Sequence, residues 1–143
     1  MVFKLVIGDK AKSWKLETED EVLVGKSIGE KIEGKELSAN FSGYEFEITG
    51  GSDSAGFPMA KDVEGMGLKR VVLSNGWGMR DNTEGLRLRK TVRGKTISQS
   101  ISQINMKVLK HGSKKLEEIF PEQNKIAEAK PAEQPVEAAA PVA

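Results

Sequence analysis

The chain contains no cysteine, and only one of its 143 residues is a histidine. Without thiols there are no disulfides, no thiol nucleophile and no thiolate metal site. A single imidazole cannot assemble a histidine-rich zinc centre. Aromatic residues are scarce, at 6% of the chain. No apolar run approaches the roughly 20 residues that a membrane helix needs. The N-terminal "MVFKLVIGDK" is apolar but lacks the basic leading region and small-residue cleavage site of a secretory signal. The expectation is a cytoplasmic protein with no membrane partner.

Charge is abundant, at 30% of residues, yet the net charge is only +1. That near-neutrality averages three unlike segments. Residues 1–66 hold 8 basic and 13 acidic side chains, residues 67–115 hold 12 and 2, and residues 116–143 hold 2 and 6. All five arginines, Arg70, Arg80, Arg87, Arg89 and Arg93, fall in the middle segment. Within it, "RLRKTVRGK" (87–95) carries five basic residues in nine positions and no acidic one. Arginine is favoured over lysine where a planar fork grips phosphate or stacks on a base. Charge segregated in this way points to nucleic acid or another polyanion.

The first 112 residues or so read as short strands divided by glycine-rich turns. "VFKLVI" (2–7) and "SWKLE" (13–17) flank the turn "GDKAK", and "GYEFEIT" (43–49) alternates Tyr44, Phe46 and Ile48 against Glu45, Glu47 and Thr49. "KRVVLS" (69–74) is a further strand, and "KTIS" (95–98) and "INMKVLK" (104–110) supply one or two more. The stretch 21–39 has room for a short helix, though its glycines weaken one. "SKKLEEIF" (113–120) suggests a second, with Ser113 as N-cap and Pro121 as its stop. From 121 to 143 the chain is rich in Ala, Pro and Glu, with little to bury, and a disordered acidic tail is expected. The fold class is therefore mainly β, a small β-barrel-like domain over 1–120 with one or two short helices.

Catalytic motifs fail on inspection. "GKS" (25–27) and "GKT" (94–96) resemble fragments of a phosphate-binding loop, but the glycine needed five residues earlier is Asp20 in one case and Arg89 in the other. "GGSDSAGFPM" (50–59) offers Ser and Asp among glycines without a positioned base, and His111 sits in the turn-like "KHGS". "ETEDE" (17–21) reads as a solvated turn rather than a cation site.

The basic block remains. As a strand it places Arg87, Arg89, Thr91 and Arg93 on one face and Leu88, Lys90 and Val92 on the other. Same-face arginines then recur every ~6.6 Å, a pitch suited to a phosphate backbone. A charged edge strand that resists aggregation, or a surface for an acidic protein, fits the same residues. Trp77, flanked by glycines in "SNGWGMR", would either stack on an unpaired base beside Arg80 or cap the fold. The candidate RNA-binding set is Lys69, Arg70, Trp77, Arg80, Arg87, Arg89, Lys90, Arg93 and Lys95.

"GGSDSAGFPM", then "RLRKTVRGKTIS" some thirty residues later, then "QINMKVLKHG", resembles the small-subunit ribosomal protein six-e family of archaea and eukaryotes. The match covers roughly residues 1–120, with Thr49 and Ser52 as small departures. The resemblance implies a β-barrel-like domain bound to small-subunit ribosomal RNA toward the foot of the subunit, among neighbouring ribosomal proteins. It implies no catalytic activity, cofactor, metal or small-molecule substrate. Eukaryotic members carry a long basic helix and a phosphorylated serine-rich tail that this sequence does not show, so an archaeal form is expected. Under the same resemblance Gly50, Gly51, Asp53, Gly56, Phe57, Pro58 and Met59 are expected to form a structural loop pinned to the barrel, with direct contact of the glycine backbone to RNA as the alternative. The rival readings are a free RNA-binding translation accessory protein with the same barrel, and an enzyme built on the glycine-rich loop.

Overall fold

The structure, a computed structural model, describes residues 2–123. A five-stranded sheet has the spatial order β2-β1-β7-β4-β3. Its strands are β1 (Phe3–Asp9), β2 (Lys12–Thr18), β3 (Lys31–Glu33), β4 (Glu45–Asp53) and β7 (Ile101–Lys110). β1 and β7 run parallel, and the other neighbours are antiparallel. The alternation read in the sequence fixes one buried face. Phe3, Leu5 and Ile7 from β1, Trp14 from β2, Phe46 and Ile48 from β4, and Ile104, Met106 and Val108 from β7 all point into it. A turn of 3-10 helix bearing Leu23, the short helices α1 (Gly34–Leu37) and α2 (Leu116–Ile119), and the Phe41–Tyr44 segment cover that face. Phe41 meets the Phe46 ring edge-on at 5.6 Å between centroids, which closes the apolar layer.

The remaining strands, β5 (Leu68–Leu73) and β6 (Leu88–Arg93), form a separate two-stranded antiparallel ribbon. The mainly β expectation holds, but the sheets do not close into a barrel. Two isolated bridges, Ser52 with Pro58 and Met59 with Arg93, link β4 to the ribbon through residues 58–59, and a third pairs Ser27 with Thr96. Closure would need continuous pairing between β4 and β6, and the glycine-rich 54–67 segment lies between them instead. "KTIS" accordingly contributes one bridge at Thr96 and a buried Ile97 rather than a strand. β4 runs on past the expected end at Thr49, through Gly50 and Gly51 to Asp53, with a register shift between Ile48 and Gly50.

α2 differs from the expectation at its start. Lys115, not Ser113, occupies the N-cap, and no side chain caps the helix. The Tyr44 hydroxyl donates to the Lys114 carbonyl, which holds this stretch against the sheet before the helix begins. Of the expected tail, 124–143 lies outside the described residues. Residues 121–123 are described, and Gln123 is docked. Its Oε1 accepts from Lys15 N at 2.6 Å, and its Nε2 donates to Lys15 O at 2.8 Å. Lys15 lies on the edge strand β2, so one side-chain amide occupies backbone groups that would otherwise template another strand. Gln123→Ala should lower stability by about 1 kcal/mol, as expected for two solvent-exposed bonds to backbone. Truncation after Gln123 should leave the thermal midpoint within a degree or two of wild type. A urea melt of the first variant and a thermal melt of the second check these outcomes.

Candidate nucleic-acid interface

The β5–β6 register sorts the basic residues by face. Lys69 pairs with Val92, Arg70 with Thr91, Val71 with Lys90, and Val72 with Arg89. One face carries Lys69, Val71, Leu73, Leu88, Lys90 and Val92. Val71, Leu73 and Val92 pack with Ala60 and Val63 in a small second core beneath the ribbon, while Leu88 is exposed. The other face carries Leu68, Arg70, Val72, Arg89, Thr91 and Arg93, and Arg87, one residue before β6, continues its alternation. Cross-strand diagonal neighbours such as Arg70 and Arg89 stand roughly 7 Å apart. Arg70, Arg87 and Arg89 are exposed, and none of them forms an ion pair among the described residues. Val72, between them, is 55% exposed.

The connection from β5 to β6 carries Trp77 and Arg80. Trp77 is 55% exposed, between Gly76 and Gly78, which both have positive φ. Met79, two residues on, is buried and anchors the loop. Within the same loop the Asp81 carboxylate accepts from the Thr83 backbone N–H and hydroxyl. These bonds hold the Asp81 carboxyl below its ordinary range.

Arg93 stands apart from the other arginines. Its Nε donates to Asp53 Oδ2 at 2.9 Å and its Nη1 to the Met66 carbonyl at 3.0 Å. The pair is inside the protein, with side chains 14% exposed for Arg93 and 1% for Asp53. Asp53 Oδ1 also accepts from the Phe57 N–H at 2.9 Å. Burial pushes the Asp53 carboxyl up, but the Phe57 N–H and the Arg93 guanidinium outweigh it and hold the group below its ordinary value. Arg93 thus joins the end of β4, the 54–57 turn and the 66–67 segment to the ribbon. Its Nε and Nη1 are committed to protein acceptors. Lys95 is also engaged, with Glu64 at 3.3 Å.

The loop glycines divide by cause. A Cβ on Gly51 would collide with the Gln103 carbonyl, while one on Gly50 would meet nothing. Gly56 has φ +91°, the left-handed region that glycine adopts without strain. Met59 is buried in the main core, and its N–H donates to the Gly51 carbonyl at 2.9 Å. Phe57 and Pro58 line a groove of about 320 Å3 with Leu73, Lys90 and Val92. Gly94, in "RKTVRG", has no room for a side chain because the Gly65 carbonyl abuts it. Nothing in the spacing of Asp53 and Arg93, 40 residues apart, announced their pairing.

No group of three or more histidine or acidic side chains among the described residues is placed to hold a metal ion. No helix among them is long and apolar enough to cross a membrane. The architecture is that of a small, mainly β protein in which the arginines without ion pairs among the described residues lie on one ribbon and its connecting loop. Residues 3–121 match the family described as Ribosomal protein S6e, and the chain belongs to that family. It is 45% identical over 125 residues to the small ribosomal subunit protein eS6 of Methanosphaera stadtmanae, covering 85% of this chain and 95% of that one. Its identity to the eS6 of Methanothermobacter thermautotrophicus is 46% over 123 residues, covering 84% and 96%. With the eS6 of Archaeoglobus fulgidus it is 50% over 98 residues, covering 68% and 75%. These relatives are archaeal, in line with the expected form.

Proposed function

We propose that this protein is a non-catalytic structural constituent of the small ribosomal subunit in the cytoplasm, binding ribosomal RNA through the outer face of the β5–β6 ribbon. The observation that carries the RNA contact is the register that sets Arg70 and Arg89 on one exposed face, continued by Arg87, with no carboxylate partner among the described residues. Arginine forks there meet phosphates, while the exposed Leu68 and Val72 supply aliphatic surface for ribose. Recognition is by shape and backbone rather than base sequence. Trp77 and Arg80, on the loop that tips the ribbon, extend the surface, and Lys69 and Lys90 lie on its other face. Arg93 acts from inside, holding the ribbon on the loop of residues 53–59 that it shares with Asp53.

Sedimentation of the endogenous protein tests the ribosomal role. Co-migration with small subunits after a high-salt wash is the expected result. A free pool that leaves the particles under that wash would favour an accessory factor. Affinity for naked small-subunit ribosomal RNA should fall steeply and linearly on a log–log plot against salt. A flat profile would point to a protein partner instead.

A further inference from the structure

A second positively charged feature lies at the other end of the main sheet. Because β7 runs parallel to β1, Asp9 and Lys110 finish at the same end, while Asp53 and Ile101 meet at the opposite end beside the ribbon. β7 has ten residues, so about 30 Å separates the two ends. There the β1–β2 turn faces the segment after β7 across a groove of about 660 Å3. Trp14 and Tyr44 contribute to its walls, and both are buried. Lys10, Lys114 and Lys115 stand on its rim and form no ion pair among the described residues. Lys12 is paired with Glu117, which ties the turn to α2 across the groove.

The backbone that carries these lysines is fixed. Tyr44 bonds the Lys114 carbonyl, and Gly112 packs so closely on Ser42 and Tyr44 that no side chain would fit. Lys10 holds a left-handed conformation, φ +52°, at the tip of its turn. The Trp14 indole N–H is buried and has no acceptor among the described residues. The groove is therefore a fixed frame whose Lys10, Lys114 and Lys115 form no ion pair among the described residues, with the carboxylates of Asp9 and Glu117 also in its lining. The Trp14 and Tyr44 rings are buried and offer no stacking face, while the exposed His111 imidazole in the same lining lies 3.7 Å from Asp9. The lysines around them suit a sugar–phosphate backbone.

We propose that this groove is a second RNA-binding site, receiving backbone phosphates of a segment separate from the one on the ribbon. The inference rests on the proposed function, since it takes the same polyanion as ligand. Lysines serve here as point charges without the orientational demand of the arginine forks at the far end. Two contacts about 30 Å apart on one rigid protein reinforce each other, because the second engages at the effective concentration set by the first.

The test uses the full chain and an in-vitro-transcribed archaeal small-subunit ribosomal RNA. Lys10→Gln, Lys114→Gln and Lys115→Gln are combined and compared with a control, Lys4→Gln, Lys31→Gln and Lys35→Gln, of equal charge change. The groove variant should bind at least about tenfold more weakly, with a log–log salt slope reduced by about 2 to 3. Unchanged circular dichroism and melting should accompany that loss, and the control should lose less than about threefold. Wild-type affinity and slope in the groove variant, or an equal loss in the control, would overturn the proposal. So would selective loss of polyglutamate peptide binding with RNA binding intact, which would assign the groove to an acidic protein. If Arg70→Gln, Arg87→Gln and Arg89→Gln together abolish binding while the groove variant keeps it, the ribbon reading stands and this inference fails. The reverse pattern supports the groove and removes the ribbon.

Discussion

Asp53→Ala should destabilise the fold by about 3 kcal/mol. The carboxylate is almost wholly buried, and it serves the Arg93 guanidinium and the Phe57 N–H together. Removing it strands a cation in a site where that cation is only 14% exposed. Breaking one partner of a buried pair costs roughly 3–5 kcal/mol, and the surviving bond to the Met66 carbonyl puts this case at the low end. Asp53→Ala with Arg93→Met should recover part of the loss, because neither charge then needs a partner. The pair also gives stability a pH dependence of defined sign. The folded carboxyl titrates below its ordinary value, so the unfolded chain takes up the proton first as pH falls. The contribution is whole above the normal aspartate range and drains away below about pH 4. Urea melts at pH 7 and pH 3 should show the gap between wild type and Asp53→Ala narrowing in acid. A gap of constant size would mean that the carboxylate's charge contributes nothing.

The strands with strict alternation were legible because each buries one face of a sheet. Phe3, Leu5 and Ile7, or Phe46 and Ile48, can satisfy their hydrophobicity only by pointing the same way. The basic block was legible as a strand for the same reason, with Val92 inward and Arg89 outward. Features set by distant neighbours were hidden. Whether a row of strands closes depends on what lies between β4 and β6, and glycine-rich loops carry no periodic signal for that. Gly51 and Gly94 look alike in sequence to Gly50, yet only the first two face a backbone carbonyl too close for a methyl group. Arg93 shares the alternation of Arg87 and Arg89, and nothing local distinguishes it. Its difference comes from Asp53, 40 residues earlier, brought beside it by the turn of residues 53–57. The lysines of the far groove escaped notice because they come from two segments about a hundred residues apart, neither basic enough alone to stand out.

Arg70→Glu, Arg87→Glu and Arg89→Glu combined should weaken binding to small-subunit ribosomal RNA by at least about a hundredfold near physiological salt. These side chains face solvent and form no ion pair among the described residues, so reversing them should leave the melting temperature nearly unchanged. Arg93→Glu alone should behave in the opposite way. It sets two carboxylates against each other at a buried position and should unfold the ribbon's base, and RNA binding would fail as a consequence of lost structure. The contrast separates an arginine that meets the ligand from one that positions it, although both lie on the same face of one strand. Binding by the triple variant at wild-type strength, with its salt dependence intact, would remove the ribbon from the interface. Replacing Arg70, Arg87 and Arg89 by Lys resolves the chemistry further. Charge alone would survive that exchange with little loss, whereas bidentate gripping of phosphate would not, because an ammonium cannot reproduce the fork. The crowding of Arg70 against Arg89 across the ribbon, with no acid between them, favours the second outcome.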